Sequence, residues 1–442
     1  MVRYQPPTDW QQWVDWLAAG LHGRNRWRLS VIITGIIFAR GRRTVTTWLR
    51  AAGIGIRFAN YYYFLQPLGR KAKEVAERLL ALLLVRLQSG DRVLFAVDDS
   101  PTKRYGPKVQ GAGIHRNPTP GPADQKFLYG HIWVTISLVL RHPLWNTIGL
   151  PLLGLLYVRA KDIAKIPAKY HWEFRTKLQL AAEQTLKFAA VAIAAGKTMW
   201  VVADGAYAKW PFLKPLRAAG VVVVSRLRKD ARLYDVPVQP KKRGPGGPRK
   251  YGTKRLHLKP RAAHPLGWET VECFIYGELV TKTFKTFLAT WRPARGIIRV
   301  VIVKEENRCE YFFCTNPDAT PREIIEAFAD RATIEQDFHD VKEVWGTGQQ
   351  QVRNIWTNIA VFNLNLWVHT LIECWAWRKD VDSIRDRSDS PWDKAERRPS
   401  HADRRKALRR ETLRNEYSSL SPSHRKSSRI RALYELLLQL AA

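Results

Sequence analysis

The sequence predicts an α/β fold, on three observations: short apolar runs with the reach of buried strands, helical periods between them, and carboxylates where the runs stop. The first run is Val93, Leu94, Phe95, Ala96 and Val97, which ends on Asp98 and Asp99 as a buried central strand does. Strands are expected next at 131–140 and 150–159. A helix over 171–195 then leads through Gly196 into a second buried run at 199–203, closed by Asp204 and Gly205. A helix over 207–219 and a strand over 221–224 complete the alternation.

The flanks read differently. Trp10, Trp13 and Trp16 recur at helical spacing, and 70–87 is made of strong helix formers, so residues 1–90 form a helical N-terminal unit. Within it, 44–52, 53–55 and 58–65 have the form helix, turn, helix, flanked by Arg40, Arg42, Arg43 and Arg50. Such a pair serves plain packing more often than DNA reading, but with these basic flanks residues 1–90 are expected to be a DNA-binding domain. The α/β alternation occupies 91–225. Between 226 and 261 stand thirteen Lys or Arg against Asp230 and Asp235, around Gly244-Pro245-Gly246-Gly247-Pro248. No packed element tolerates that composition, so a basic loop is expected to open a β-rich insertion over 226–317, with strands at 270–276, 298–304 and 310–314. Thr320-Pro321-Arg322-Glu323 is a capping box with proline at the first helical position, and it opens one long helix in a second core segment, 318–378. A helix over 353–377 ends that segment. A basic tail, 379–442, closes the chain with a helix over 429–440 that offers a protein contact.

Composition narrows the partner. Lys and Arg number 73 against 39 Asp and Glu, a net charge of +34, which suits a polyanion. No apolar run spans a bilayer, because Arg141 and His142 interrupt the longest stretch. Met1 is followed by polar and aromatic residues rather than a basic-then-apolar leader, and the four cysteines form neither a CxxC pair nor a zinc pattern. A cytoplasmic protein with reduced thiols is expected.

The helix after the capping box carries the most specific pattern, Phe328-x2-Arg331-x3-Glu335-x6-Lys342. At 100° per residue these four positions fall within about 60° of arc, so one continuous helix would bring an aromatic, a carboxylate and two cations onto one stripe. Two further carboxylates, Asp98 or Asp99 and Asp204, stand at the carboxyl ends of buried strands, where open α/β sheets place their sites. Three acidic side chains without His or Cys favour a hard cation, Mg²⁺ or Mn²⁺. Two such ions suit an in-line phosphoryl transfer, with Arg331 and Lys342 on phosphate oxygens beside them. His339 reads as an ordinary helix-face histidine.

Val97-Asp98-Asp99-Ser100, Val202-Ala203-Asp204-Gly205 and the Phe-Arg-Glu-Lys helix resemble the three catalytic segments of bacterial insertion-sequence DDE transposases, in the branch marked by Y-x2-R-x3-E-x6-K. The resemblance covers roughly 90–375. It implies a ribonuclease-H-like catalytic core with a β-rich insertion before the Glu, a catalytic and metal-binding set of Asp99, Asp204 and Glu335, and two Mg²⁺ or Mn²⁺ ions per site. It also implies double-stranded DNA as partner, a homodimer holding two element ends, and a place on the bacterial nucleoid. Phe328 replaces the branch's tyrosine and lacks its hydroxyl. Neighbouring strand residues face opposite ways, so only one of Asp98 and Asp99 belongs to the site. Asp99 is taken because it precedes a hydroxyl residue, as the family's first catalytic Asp often does, with Asp98 as the alternative. Tyr311 occupies the place of the aromatic that stacks on a flipped base in the family, and Trp291 is a second candidate. Lys241, Lys242, Arg243, Arg249 and Lys250 are the expected DNA contacts of the basic loop. The competing readings are a ribonuclease-H-like nuclease or resolvase, and a transposase-derived DNA-binding regulator without catalysis.

Overall fold

The computed structural model describes residues 4–88, 90–117, 125–238, 249–420 and 437. Five helices come first: α1 (Thr8–Ala18), α2 (Gly23–Phe38), α3 (Val45–Ala51), α4 (Ala59–Arg70) and α5 (Ala72–Arg86). Then follow β1 (Arg92–Lys103), β2 (Gly113–Arg116), β3 (Phe127–His142), β4 (Asn146–Tyr157), α6 (Lys177–Ala194), β5 (Thr198–Ala203), α7 (Trp210–Ala218) and β6 (Val222–Arg226). The β-rich stretch holds β7 (Leu233–Tyr234), β8 (Arg255–Leu256), α8 (Leu258–Ala263), β9 (Glu269–Ile275), β10 (Glu278–Trp291), β11 (Gly296–Lys304) and β12 (Cys309–Cys314). The chain continues with α9 (Pro321–Asp330), α10 (Ala332–Glu343), α11 (Ile355–Ala376), α12 (Val381–Ile384) and α13 (His401–Leu420).

The twelve strands among the described residues join one mixed sheet. Its first half runs β4, β3, β1, β5, β6: β3 is antiparallel to both β4 and β1, while β1, β5 and β6 are parallel. This arrangement is consistent with a ribonuclease-H-like nuclease core. From β6 the sheet does not end. β12 pairs antiparallel with β6, and β11 and β10 follow, so the inserted strands extend the core sheet itself.

Strand alternation divides the middle of the sheet into two faces. Val93, Phe95, Val97, Met199, Val201 and Ala203 belong to one apolar cluster, with Phe188 of α6 and Phe212, Leu213 and Leu216 of α7. Ala96, Trp200, Val202 and Val224 belong to the other, with Ile324, Ile325 and Ala327 of α9 and Ile334 of α10.

The N-terminal helices are present, yet they share the larger cluster: Trp10, Trp48 and Leu65 lie in one apolar core with Leu364 and Trp367 of α11. α4 approaches α11 most closely at Gly69, where a Cβ would lie 1.9 Å from the Trp356 carbonyl oxygen. α11 is buried on nearly every side, and Asn363, Trp367 and Thr370 all hydrogen-bond the backbone of β4. No helix among the described residues is long and apolar enough to cross a membrane.

Two helical expectations are corrected. The helix expected over 171–195 begins only at Lys177, because Thr176 and Gln179 form a reciprocal capping box there and His171 takes a left-handed conformation, φ 47°. The single long helix expected after Thr320 is divided at Arg331 into α9 and α10. There the backbone tightens, with Arg331 N–H donating to the Phe328 carbonyl and Ile334 N–H to that of Arg331. Asp330, just before the break, is held to the β3–β4 hairpin by Thr147 at 2.8 Å and Arg141 at 3.1 Å. The helix expected over 429–440, residue 437 apart, and the loop residues Lys241, Lys242 and Arg243 lie outside the described residues.

Candidate active site

Register sets the first pair of carboxylates. β1 and β5 run parallel with Val97 opposite Ala203, so Asp204 follows the end of β5, and Asp98 stands beside it within β1, which continues to Lys103 instead of ending at the aspartates as the apolar run suggests. Asp98 has the parity of Ala96 and therefore faces α9 and α10, while Asp204 caps the short turn after β5, close enough for its charge to act on Asp98. Asp99 has the parity of Val97 and turns to the α6 side. There Lys177 Nζ, at the start of α6, donates to its Oδ2 at 2.6 Å, and the Tyr207 hydroxyl donates to its Oδ1 at 3.2 Å. Burial, followed by the nearby Asp99 and Asp98 charges, keeps the Tyr207 phenol well above its ordinary range, so it acts as a neutral donor.

Asp98 meets Arg331. Arg331 Nη1 donates to Asp98 Oδ2 at 2.8 Å, and Arg331 Nη2 donates to Glu335 Oε1 at 2.7 Å, so one guanidinium bridges the two carboxylates. Glu335 lies one turn into α10 with its side chain 60% exposed, whereas that of Arg331 is only 14% exposed. Farther along α10, Lys342 Nζ donates to Ser100 Oγ at 2.7 Å, two residues after Asp98 on the same strand face. Burial pushes the Lys342 ammonium down. The Asp98 carboxyl is pushed up to about 6, first by burial and then by the Asp99 and Asp204 charges. The Asp99 amide and Arg331 offset part of that shift.

The structure thus brings Asp98, Glu335, Arg331 and Lys342 to one face, with Asp204 beside Asp98, and sets Asp99 on the other. Ser100, the hydroxyl residue after Asp99, shares the Asp98 face. Phe328 belongs to α9 rather than to the Glu335 helix. Its ring lies 4.6 Å from that of Phe312, with the guanidinium groups of Arg226 and Arg331 at 5.1 and 5.6 Å. Tyr311 alternates with Phe312 and faces the opposite side of β12, against the larger apolar cluster. Trp291 is a core residue, edge-on to Phe313 at 5.0 Å. Neither aromatic shares the carboxylate face. Arg249 and Lys250 are exposed just ahead of β8, and His339 is an exposed residue of α10. Lys177, Tyr207 and Arg226 escaped the sequence reading. Only Tyr207 carried a signal, lying three residues after Asp204, one turn away.

The donor set fits a hard divalent cation: three carboxylates supply oxygen only, and the negative charge crowded around Asp98 pushes its carboxyl up despite the Arg331 guanidinium bonded to it. Among the described residues, the one His/Cys/Asp/Glu group whose ligand atoms all fall within 4.8 Å is a different one, His369, Glu373 and His401. That cluster is already committed to hydrogen bonds. Trp345 Nε1–H, which can only donate, fills His401 Nε2 at 2.8 Å, so His401 Nδ1–H donates to Glu373, and Arg404 adds a second donor at 2.9 Å. No lone pair of His401 is left for a metal.

A family comparison covers the first part of this arrangement. The sequence profile described as DDE superfamily endonuclease matches residues 17–292, more than half of the chain, and takes in β1 with Asp98 and β5 with the Asp204 that follows it. A comparison with curated proteins finds no match. With Asp98 on β1, Asp204 just past the end of the adjacent parallel strand β5, and the profile running through both, the chain belongs to the DDE superfamily of endonucleases.

Proposed function

We propose that the chain is the transposase of an insertion sequence, cutting DNA at the element's ends and joining the freed 3′ ends to target DNA. The observation that carries the reading is the bridging of Asp98 to Glu335 by Arg331, with Lys342 on Ser100 and the Asp204 charge beside Asp98. The Phe-Arg-Glu-Lys spacing supports the Y-x2-R-x3-E-x6-K branch, with Phe328 packing between two guanidinium groups where the branch has tyrosine. In this reading Asp98, rather than Asp99, is the first carboxylate. Asp98, Asp204 and Glu335 hold Mg²⁺ or Mn²⁺, two ions per site. Bound there, the ions activate the attacking water or hydroxyl and stabilise the leaving oxygen.

The remaining roles belong to the chain. Arg331 and Lys342 bind and orient phosphate oxygens, the planar guanidinium in a fork and the ammonium as a point charge. Lys177 and Tyr207 hold Asp99 on the far face, so that its charge stays beside the site without entering it. The helical N-terminal segment, the basic loop with Lys241, Lys242, Arg243, Arg249 and Lys250, and the net charge of +34 support double-stranded DNA as partner. A homodimer bound to two element ends, on the bacterial nucleoid, completes the reading.

The test uses a labelled duplex carrying the element's terminal repeat, incubated with Mg²⁺. Wild type nicks the end and then joins it to a second duplex, while Asp204→Asn and Glu335→Gln lose both steps by several orders of magnitude, since charge stabilisation dominates phosphoryl transfer. Full activity in either variant rejects the reading. Nicking without joining would indicate a nuclease or resolvase instead.

A further inference from the structure

We infer that Arg331 is a built-in counter-ion of the carboxylate site, which stands in for the divalent cations until DNA phosphate draws it away, so that metal capture and DNA binding are coupled. The inference rests on the proposed metal and DNA chemistry and adds its order of assembly.

The geometry supports it from three sides. First, a single guanidinium is bonded to two of the three carboxylates at 2.8 and 2.7 Å, and thus occupies the space between them that a bridging cation needs. Second, Arg331 sits at the break between α9 and α10 instead of in the middle of a rigid helix, so a change of its side chain need not shift the α10 ladder that carries Glu335 and Lys342. Third, its Nε is buried without a hydrogen-bond partner, so two of its polar groups are satisfied by the carboxylates while a third is not. A phosphate oxygen offers that missing acceptor.

Charge balance then dictates a cycle. Without DNA, Arg331 neutralises the carboxylates and competes with cations for them. A phosphate group at the site competes for Arg331 in turn, through the two-pronged hydrogen bonding guanidinium favours. Once the arginine turns to phosphate, the carboxylates regain full charge and gain affinity for the ion. Cation and phosphate therefore bind with positive coupling, and the coupling must be equal in both directions. A free enzyme with Arg331 in place would hold divalent ions weakly away from DNA.

Mn²⁺ binding to the full-length protein, followed by electron paramagnetic resonance, tests this without any reading of catalysis. The expected result is that Arg331→Gln and Arg331→Met each bind Mn²⁺ at least tenfold more tightly than wild type in the absence of DNA. A saturating duplex raises the wild-type affinity toward theirs and changes the variants little. Thermal unfolding gives a parallel readout: both variants melt lower than wild type and are restored more strongly by Mn²⁺, since their carboxylates lack a counter-ion. Equal Mn²⁺ affinity in wild type and variants, with binding abolished by Asp204→Asn, overturns the role of Arg331 and leaves the metal reading intact. The same holds if duplex leaves the wild-type affinity unchanged. Absence of Mn²⁺ binding in every protein, with or without duplex, overturns both.

Discussion

Replacing Glu373 with Gln removes one negative charge from the buried junction of α11 and α13. Glu373 is 1% exposed, and Arg404 Nη1 lies 2.9 Å from its Oε1. Two unit charges at that distance attract by about 6 kcal/mol at an effective dielectric of about 20. Desolvation of both groups offsets much of this in the intact pair, but the variant keeps the buried Arg404 without its counter-charge, a loss of about 3–5 kcal/mol. Urea unfolding followed by tryptophan fluorescence should show that loss at pH 7. Glu373→Leu combined with Arg404→Met should lose less than Glu373→Gln alone, because no charge is then stranded. The pH dependence has a fixed sign. Arg404 and the His401 hydrogen bond outweigh burial and hold the Glu373 carboxyl well below its ordinary range. The stabilisation is therefore present above the unfolded-state value of about 4.3 and shrinks as pH falls below it. The difference between wild type and Glu373→Gln should stay constant from pH 7 to about pH 5 and narrow in acid. A loss under about 1 kcal/mol, or a difference that widens in acid, refutes the reasoning.

Two further outcomes follow from packing and charge. Gly69→Ala should destabilise the protein by about 3 kcal/mol, since its Cβ would collide with the Trp356 backbone and force α4 from α11; an unchanged urea midpoint contradicts that close approach. Duplex binding should weaken steeply with salt, by about 0.9 in log affinity per log salt for each phosphate neutralised, and a flat titration speaks against a phosphate-tracking surface.

How far the sequence revealed the site depends on which physical rule was local. The runs at Val93 and Met199 made β1 and β5 legible, and the capping box at Thr320 marked the start of α9 to the residue. Parity within Asp98-Asp99 was not legible, because it depends on the register Val97 to Ala203, a contact between residues far apart in the chain. The break at Arg331 carries no proline or glycine. It comes from tertiary bonds that hold Asp330 to β3 and β4 and draw Arg331 to Asp98. β10 was missed since Lys282 and Lys285 interrupt its apolar alternation. Lys285 is buried nonetheless, its ammonium donating to the carbonyls of Arg261 and His264. The helical N-terminal segment reads as separate in sequence but shares its core with α11, which only the assembled fold reveals.

The most direct measurement compares Asp98→Asn with Asp99→Asn in Mg²⁺-dependent nicking of a terminal-repeat duplex, with folding checked by circular dichroism. Strand parity and the Arg331 bridge predict that Asp98→Asn loses activity by several orders of magnitude while Asp99→Asn, whose side chain is held by Lys177 and Tyr207, retains far more. Loss in Asp99→Asn with retention in Asp98→Asn would contradict the assignment of the site to the α9 and α10 face of the sheet.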